Sequence, residues 1–87
     1  MDKLKELRRE IDQIDEEITR LLDTRFTLTK DIGHHKRMAG IEILDSGRES
    51  IVLNRIDALL ENSPNKKNAI EIYKLIMALS KKDQSHL

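Results

Sequence analysis

Arg25 stands where a leucine is expected. Leu4, Leu7, Ile11, Ile14, Ile18 and Leu21 recur at alternating steps of three and four, the spacing that lines side chains along one helical seam. Arg25 takes the next place, and Leu28 and Ile32 resume the pattern. Arginine is among the residues least often buried unless paired, so an anion is expected to meet it. No Asp or Glu of the same helix reaches that seam without leaving its own face, which leaves a carboxylate from another segment or a bound ligand. Lys36 follows eleven residues later and projects in nearly the same direction, about three turns or roughly 16 Å further along the axis. Arg8 lies about 80 to 100° round the helix from both, poorly placed for the same pocket in one chain but able to reach a partner's. Arg48 and Glu49 open a second helical segment, where free backbone N–H groups also favour an anion, and Ser80 and Gln84 share one face of a third.

These residues amount to several cations, neutral hydrogen-bond donors and one or two carboxylates, with no cysteine and no evident Ser and His pair. Covalent catalysis is not expected. A pocket so lined suits a small dicarboxylate, whose conformation it would fix while placing donors where negative charge develops. Plainer roles compete. Arg25 could pair with a carboxylate of a neighbouring helix, Lys36 could be a helix-end cation answering the helix dipole, and Arg8 could form an i,i+4 pair with Asp12. Arg48 could be a first-turn surface residue, Glu49 a capping-box acid, Asp45 a cap or turn residue, and Ser80 and Gln84 the solvent end of a helix face. His34 and His35 point about 100° apart and make a poor metal pair, and without cysteine no metal site is expected.

Three helices are needed to position this set, and the fold class expected is all-α. The first periodic segment runs from about Asp2 to about Arg37 with no proline and one glycine, a helix of roughly 54 Å. A compact chain of this length has a radius of gyration near about 12 Å, so most of such a helix protrudes unless a second long helix covers its seam. A dimer follows, with the two first helices antiparallel or crossing. Met38 to Leu44, with Gly40, break the period as a loop. Ser46-Gly47-Arg48-Glu49 has capping-box spacing and starts a second helix, which Val52, Ile56, Leu59 and Leu60 carry to about Glu61. Asn62-Ser63-Pro64-Asn65 is a turn, with Ser63 or Asn65 able to cap and Pro64 tolerated in a first helical turn. The third helix covers about Lys66 to Asp83, with a stripe of Ile70, Tyr73 and Met77 continued on the same face by Ser80 and Gln84. The Leu and Ile positions, with Tyr73 and Met77, are expected in the core.

Composition agrees with helices. Charged residues make up 37% of the 87 and aromatics 2%, with three Gly and one Pro, a poverty of strand formers and chain breakers. Residues 1–87 are expected to form one domain, which at this size buries only about two thirds of its unfolded surface. Sixteen Lys and Arg balance sixteen Asp and Glu, which argues against nucleic acid as a partner, although cations can still cluster locally. Without cysteine, neither disulfides nor thiolate chemistry are available. The first residues lack an apolar core of signal-peptide length and no apolar run approaches membrane-spanning length, so no membrane role and a cytoplasmic location are expected.

One ordered set of residues is specific enough to carry a resemblance. Leu7-Arg8-x-x-Ile11-Asp12-x-Ile14-Asp15-x-x-Ile18-x-x-Leu21-Leu22-x-x-Arg25, then Ile32-Gly33-x-x-Lys36, then Asp45-x-x-Arg48-Glu49, resembles the all-helical class of chorismate mutases across nearly the whole chain. The resemblance implies an intertwined dimer of three-helix subunits, each active site drawing an arginine from the other subunit. It implies a cofactor-free Claisen rearrangement of chorismate to prephenate, in phenylalanine and tyrosine biosynthesis. Carried over by position, Arg25 and Arg8 of the partner subunit grip the two substrate carboxylates, with Ser80 and Arg48 in support. Lys36 and Gln84 donate to the ether oxygen, where negative charge grows as the carbon–oxygen bond breaks. Glu49 and the backbone near Asp45 hold the ring hydroxyl. The third-helix register that supplies Gln84 follows the looser part of the pattern, and His34-His35 is not a signature of the family. Two other functions fit parts of the same set. An isochorismate pyruvate lyase shares the scaffold, although the intact Asp45-x-x-Arg48-Glu49 argues against it, and a non-catalytic helical module would use the seam for dimerisation alone.

Overall fold

The computed structural model describes residues 2–86, and among them there are three helices and no strand. Helix α1 spans Asp2–Ala39, α2 Ser46–Leu59 and α3 Lys66–Ser85. All three ends lie within two residues of the sequence expectation, the usual slack where helix termini fray.

The local chemistry explains where each helix begins and ends. Gly40 has φ +68°, a left-handed conformation that costs other residues sterically, and it closes α1 with a Schellman pair. The Gly40 N–H donates to the Arg37 carbonyl at 3.3 Å and the Ile41 N–H to the Lys36 carbonyl at 2.8 Å. The start of α2 corrects the sequence expectation by one residue. Its N-cap is Asp45, whose Oδ1 accepts the Arg48 N–H at 2.8 Å, so the Ser46–Glu49 box does not form and Glu49 is released from capping. A carboxylate at that position gains both a charge-assisted bond and the helix dipole, which a serine hydroxyl does not match. At the α2–α3 turn, Ser63 Oγ accepts the Asn65 N–H at 3.0 Å, while Asn65 stands at the cap position without a side-chain cap bond. Pro64 therefore lies before the helix rather than in its first turn.

Helix α3 packs against both α1 and α2 and is the centre of the fold. Ile56 of α2 and Ile76 of α3 are each 7% exposed, Ser80 is 5% exposed, and Gly33 is the buried position of α1. Ile76 is thus more buried than the expected stripe of Ile70, Tyr73 and Met77, all of which are half-buried. A helix flanked by two others buries a face wider than one seam.

Along the amino-terminal half of α1 every described residue from 2 to 20 is exposed. Leu4, Leu7, Ile11, Ile14, Ile18 and Leu21 are between 43% and 69% exposed, as expected of a helix too long for its own chain to cover. The molecule extends 57 Å along its longest axis and has a radius of gyration of 16.3 Å, against about 12 Å for a compact chain of this length.

Candidate functional site

Where the carboxy-terminal half of α1 meets the start of α2 and the end of α3, the chain forms a half-open cavity of about 150 Å³. That is about ten times what one water needs, and enough for a small organic molecule. Helix α1 lines it with Arg25, Thr29, Ile32 and Lys36, at i, i+4, i+7 and i+11, which share one helical face. The loop and α2 contribute Ile43, Asp45, Arg48, Glu49 and Val52. The α3 residues are Met77, Ser80, Lys81 and Gln84.

Seven of the eight site residues expected from the sequence, namely Arg25, Lys36, Asp45, Arg48, Glu49, Ser80 and Gln84, face this one cavity. Arg8 does not. It is exposed on α1, about 25 Å along the axis from Arg25, in keeping with its expected inability to serve its own chain's pocket.

Arg25 is half-buried and meets no protein carboxylate within ion-pair distance among the described residues. Its Nη1 donates to Ser80 Oγ at 3.3 Å, and the guanidinium lies 5.7 Å from the centroid of the Tyr73 ring, within cation–π range. Ser80 Oγ in turn donates to the Ile76 carbonyl at 2.8 Å. With its proton so committed, the hydroxyl offers Arg25 its lone pairs and fixes the fork. Lys36 Nζ donates to the Ile43 carbonyl at 3.0 Å, which draws the ammonium across the α1–α2 turn and leaves two of its three N–H bonds for a ligand. Gln84 Oε1 is buried without a hydrogen-bond partner among the described residues. An acceptor withdrawn from water in this way is costly unless a partner arrives.

Four cations and two carboxylates line the cavity of a chain whose net charge is zero, so the cations have gathered at the site. Anionic ligands are favoured there, the more so at the start of α2. Among the described residues, no group of three or more His, Cys, Asp or Glu could hold a metal, and His34 and His35 are both exposed. No helix of the described residues is long and apolar enough to cross a membrane. Sequence reasoning missed Thr29, Ile43 and Lys81 as lining residues and Tyr73 as the shelf beneath Arg25. Spacing from Arg25 marks Thr29, whereas Ile43 and Tyr73 become visible only once the loop and α3 are docked.

The family model for chorismate mutase type II matches residues 7–85. The chain belongs to the chorismate mutase type II family. Its matched span includes Arg8 and every residue that lines the cavity. A chorismate mutase of Methanocaldococcus jannaschii is 34% identical over 82 residues, covering 93% of this chain and 83% of the relative. A bifunctional chorismate mutase/prephenate dehydratase of Aquifex aeolicus is 50% identical over 56 residues, which cover 64% of this chain but only 16% of that protein. No solved structure gives a significant match.

Proposed function

We propose that this cavity is where the chain, a chorismate mutase by family, rearranges chorismate to prephenate for aromatic amino acid biosynthesis, and that residues 1–87 act as one domain of a cytoplasmic homodimer. The observation that carries the site is Arg25, held by Ser80 and Tyr73 with no protein carboxylate upon it, in one cavity with Lys36, Arg48 and Gln84.

The reaction is intramolecular. The ether carbon–oxygen bond breaks while a carbon–carbon bond forms between the side chain and the ring, and no atom enters or leaves. The protein therefore has two tasks, to hold the reactive conformation and to meet the charge that builds on the ether oxygen. Arg25 and Arg8 of the partner subunit grip the two carboxylates, with Arg48 in support and Ser80 acting through Arg25. Lys36 directs its free N–H bonds, and Gln84 its amide, at the ether oxygen, and both contacts strengthen as the bond breaks. Ile32, Val52 and Met77 supply apolar walls against the ring. Glu49, free of capping, accepts from the ring hydroxyl beside the backbone near Asp45. Because the donors are already fixed by the Ile43 and Ser80 contacts, little reorganisation is needed when substrate arrives.

The dimer is supported by area. The chain exposes 7243 Å², whereas a compact monomer of 10.1 kDa exposes about 5,300 Å². The excess is of the size a stable subunit interface buries, and the bare α1 seam is the apolar surface to bury. Purified protein incubated with chorismate should form prephenate and release no pyruvate, and Arg25→Ala should cost at least about a hundredfold in kcat/KM with the dimer intact. Pyruvate released from isochorismate would favour the lyase. Full activity in Arg25→Ala would remove the cavity from the chemistry.

A further inference from the structure

We propose that Lys81 is a further substrate-binding residue, its ammonium at the open edge of the cavity pairing with a carboxylate of the dianionic substrate. The proposal rests on the cavity being the chorismate site. Lys81 follows Ser80 and faces the cavity together with Ser80 and Gln84, yet it is exposed where Ser80 is 5% exposed and Arg25 half-buried. Of the two cations, Arg25 is thus the more shielded and Lys81 the more open to solvent.

Surface lysines are usually idle or engaged in local pairs, and Lys81 has no such pair. Its helical neighbours at three and four residues are Met77, Ala78, Gln84 and Ser85, so no carboxylate stands where an intrahelical partner would. Arg20 pairs with Glu16 at 3.8 Å and Lys66 with Asp57 at 3.3 Å, but no ion pair involves Lys81 among the described residues. The other cavity cations face competition. Asp45 and Glu49 share the lining with Arg25, Lys36 and Arg48, so without Lys81 these carboxylates cancel most of the charge one chain offers. A substrate with two carboxylates is better matched when Lys81 is added, and the flexible four-carbon stem lets its ammonium follow a carboxylate that remains close to solvent.

An exposed charge that pairs equally with substrate and transition state lowers KM and leaves kcat alone, and salt screens it. At low ionic strength Lys81→Met should raise KM for chorismate about two- to fivefold with kcat nearly unchanged, and Lys81→Glu should raise it further. Lys81→Arg should keep the parent KM, and at about 0.5 M salt the Lys81→Met difference should close. Parent KM in both Lys81→Met and Lys81→Glu at low salt overturns the proposal, as does a rise that persists at high salt, which reports lost packing of the stem. Arg25→Ala measured alongside separates the two levels. If Arg25→Ala is inactive while Lys81→Glu keeps the parent KM, only the role of Lys81 falls. If Arg25→Ala is fully active, the site falls and Lys81 with it.

Discussion

Arg25 owes its readiness to neighbours that carry no charge. A carboxylate partner would have to be displaced by substrate, whereas the Ser80 hydroxyl and the Tyr73 face hold the guanidinium without competing for its charge. Tyr73→Phe keeps the ring and should keep kcat/KM near the parent value, while Tyr73→Leu should lower it about two- to fivefold with the fold retained by circular dichroism. Equal activity in the two variants would mean the shelf is mere packing. Gln84 allows a sharper test, because a donor can be exchanged for a group that donates only when protonated. Gln84→Glu should be poorly active at neutral pH, where the ionised carboxylate repels the charge forming on the ether oxygen. It should recover as pH falls toward the ordinary glutamate pKa of about 4.3, or sooner if burial raises that value. A flat profile of kcat/KM against pH would take Gln84 away from the ether oxygen. Helical phase alone aligns Arg25 with Lys36 on the first helix and Ser80 with Gln84 on the third, whereas the grouping of the two faces in one site came from the family resemblance. Tyr73 was legible only as an apolar position, since nothing in its spacing says that a cation from another helix will rest on it.

The elements meet at their ends, so a cap is also part of the site. Asp45 holds the first turn of α2 through the Arg48 N–H, and the side chains of Arg48 and Glu49 leave that same turn toward the cavity. Asp45→Ala should cost about 1 kcal/mol of stability, seen as a lower thermal midpoint, and should raise KM as the turn frays. Asp45→Asn still caps and should restore both, and failure of Asn to restore KM would give the carboxylate itself a role beyond capping. Helix extents were legible to within two residues, yet the α2 cap was displaced by one. Asp45 and Ser46 both satisfy cap preferences, and the choice depends on the path by which the chain leaves the Gly40 turn. The depth of Ile76 was hidden for a related reason. Periodicity shows that a face is apolar, but how wide a face is buried depends on how many helices pack against it.

At the scale of the molecule, one helix serves two structures. The carboxy-terminal half of α1 builds the cavity, while its amino-terminal half carries a bare apolar seam, with Arg8 set off that seam by its helical phase. In the dimer proposed above, a second copy covering the seam in antiparallel or crossed fashion would bring its Arg8 toward the cavity that its own chain cannot serve. Length alone leads to the expectation of a covering partner, because a helix of about 54 Å has no place in a globule of this size. It makes a quantitative prediction. Arg8→Ala and Arg25→Ala homodimers should each be inactive, since every site in them lacks one arginine. Unfolded together in equal amounts and refolded, they should form half heterodimers, each with one site holding both arginines and one holding neither, and so recover about a quarter of parental activity. If mass measurement finds the heterodimers and no activity returns, Arg8 does not cross the interface, and the second carboxylate must be met from within one chain.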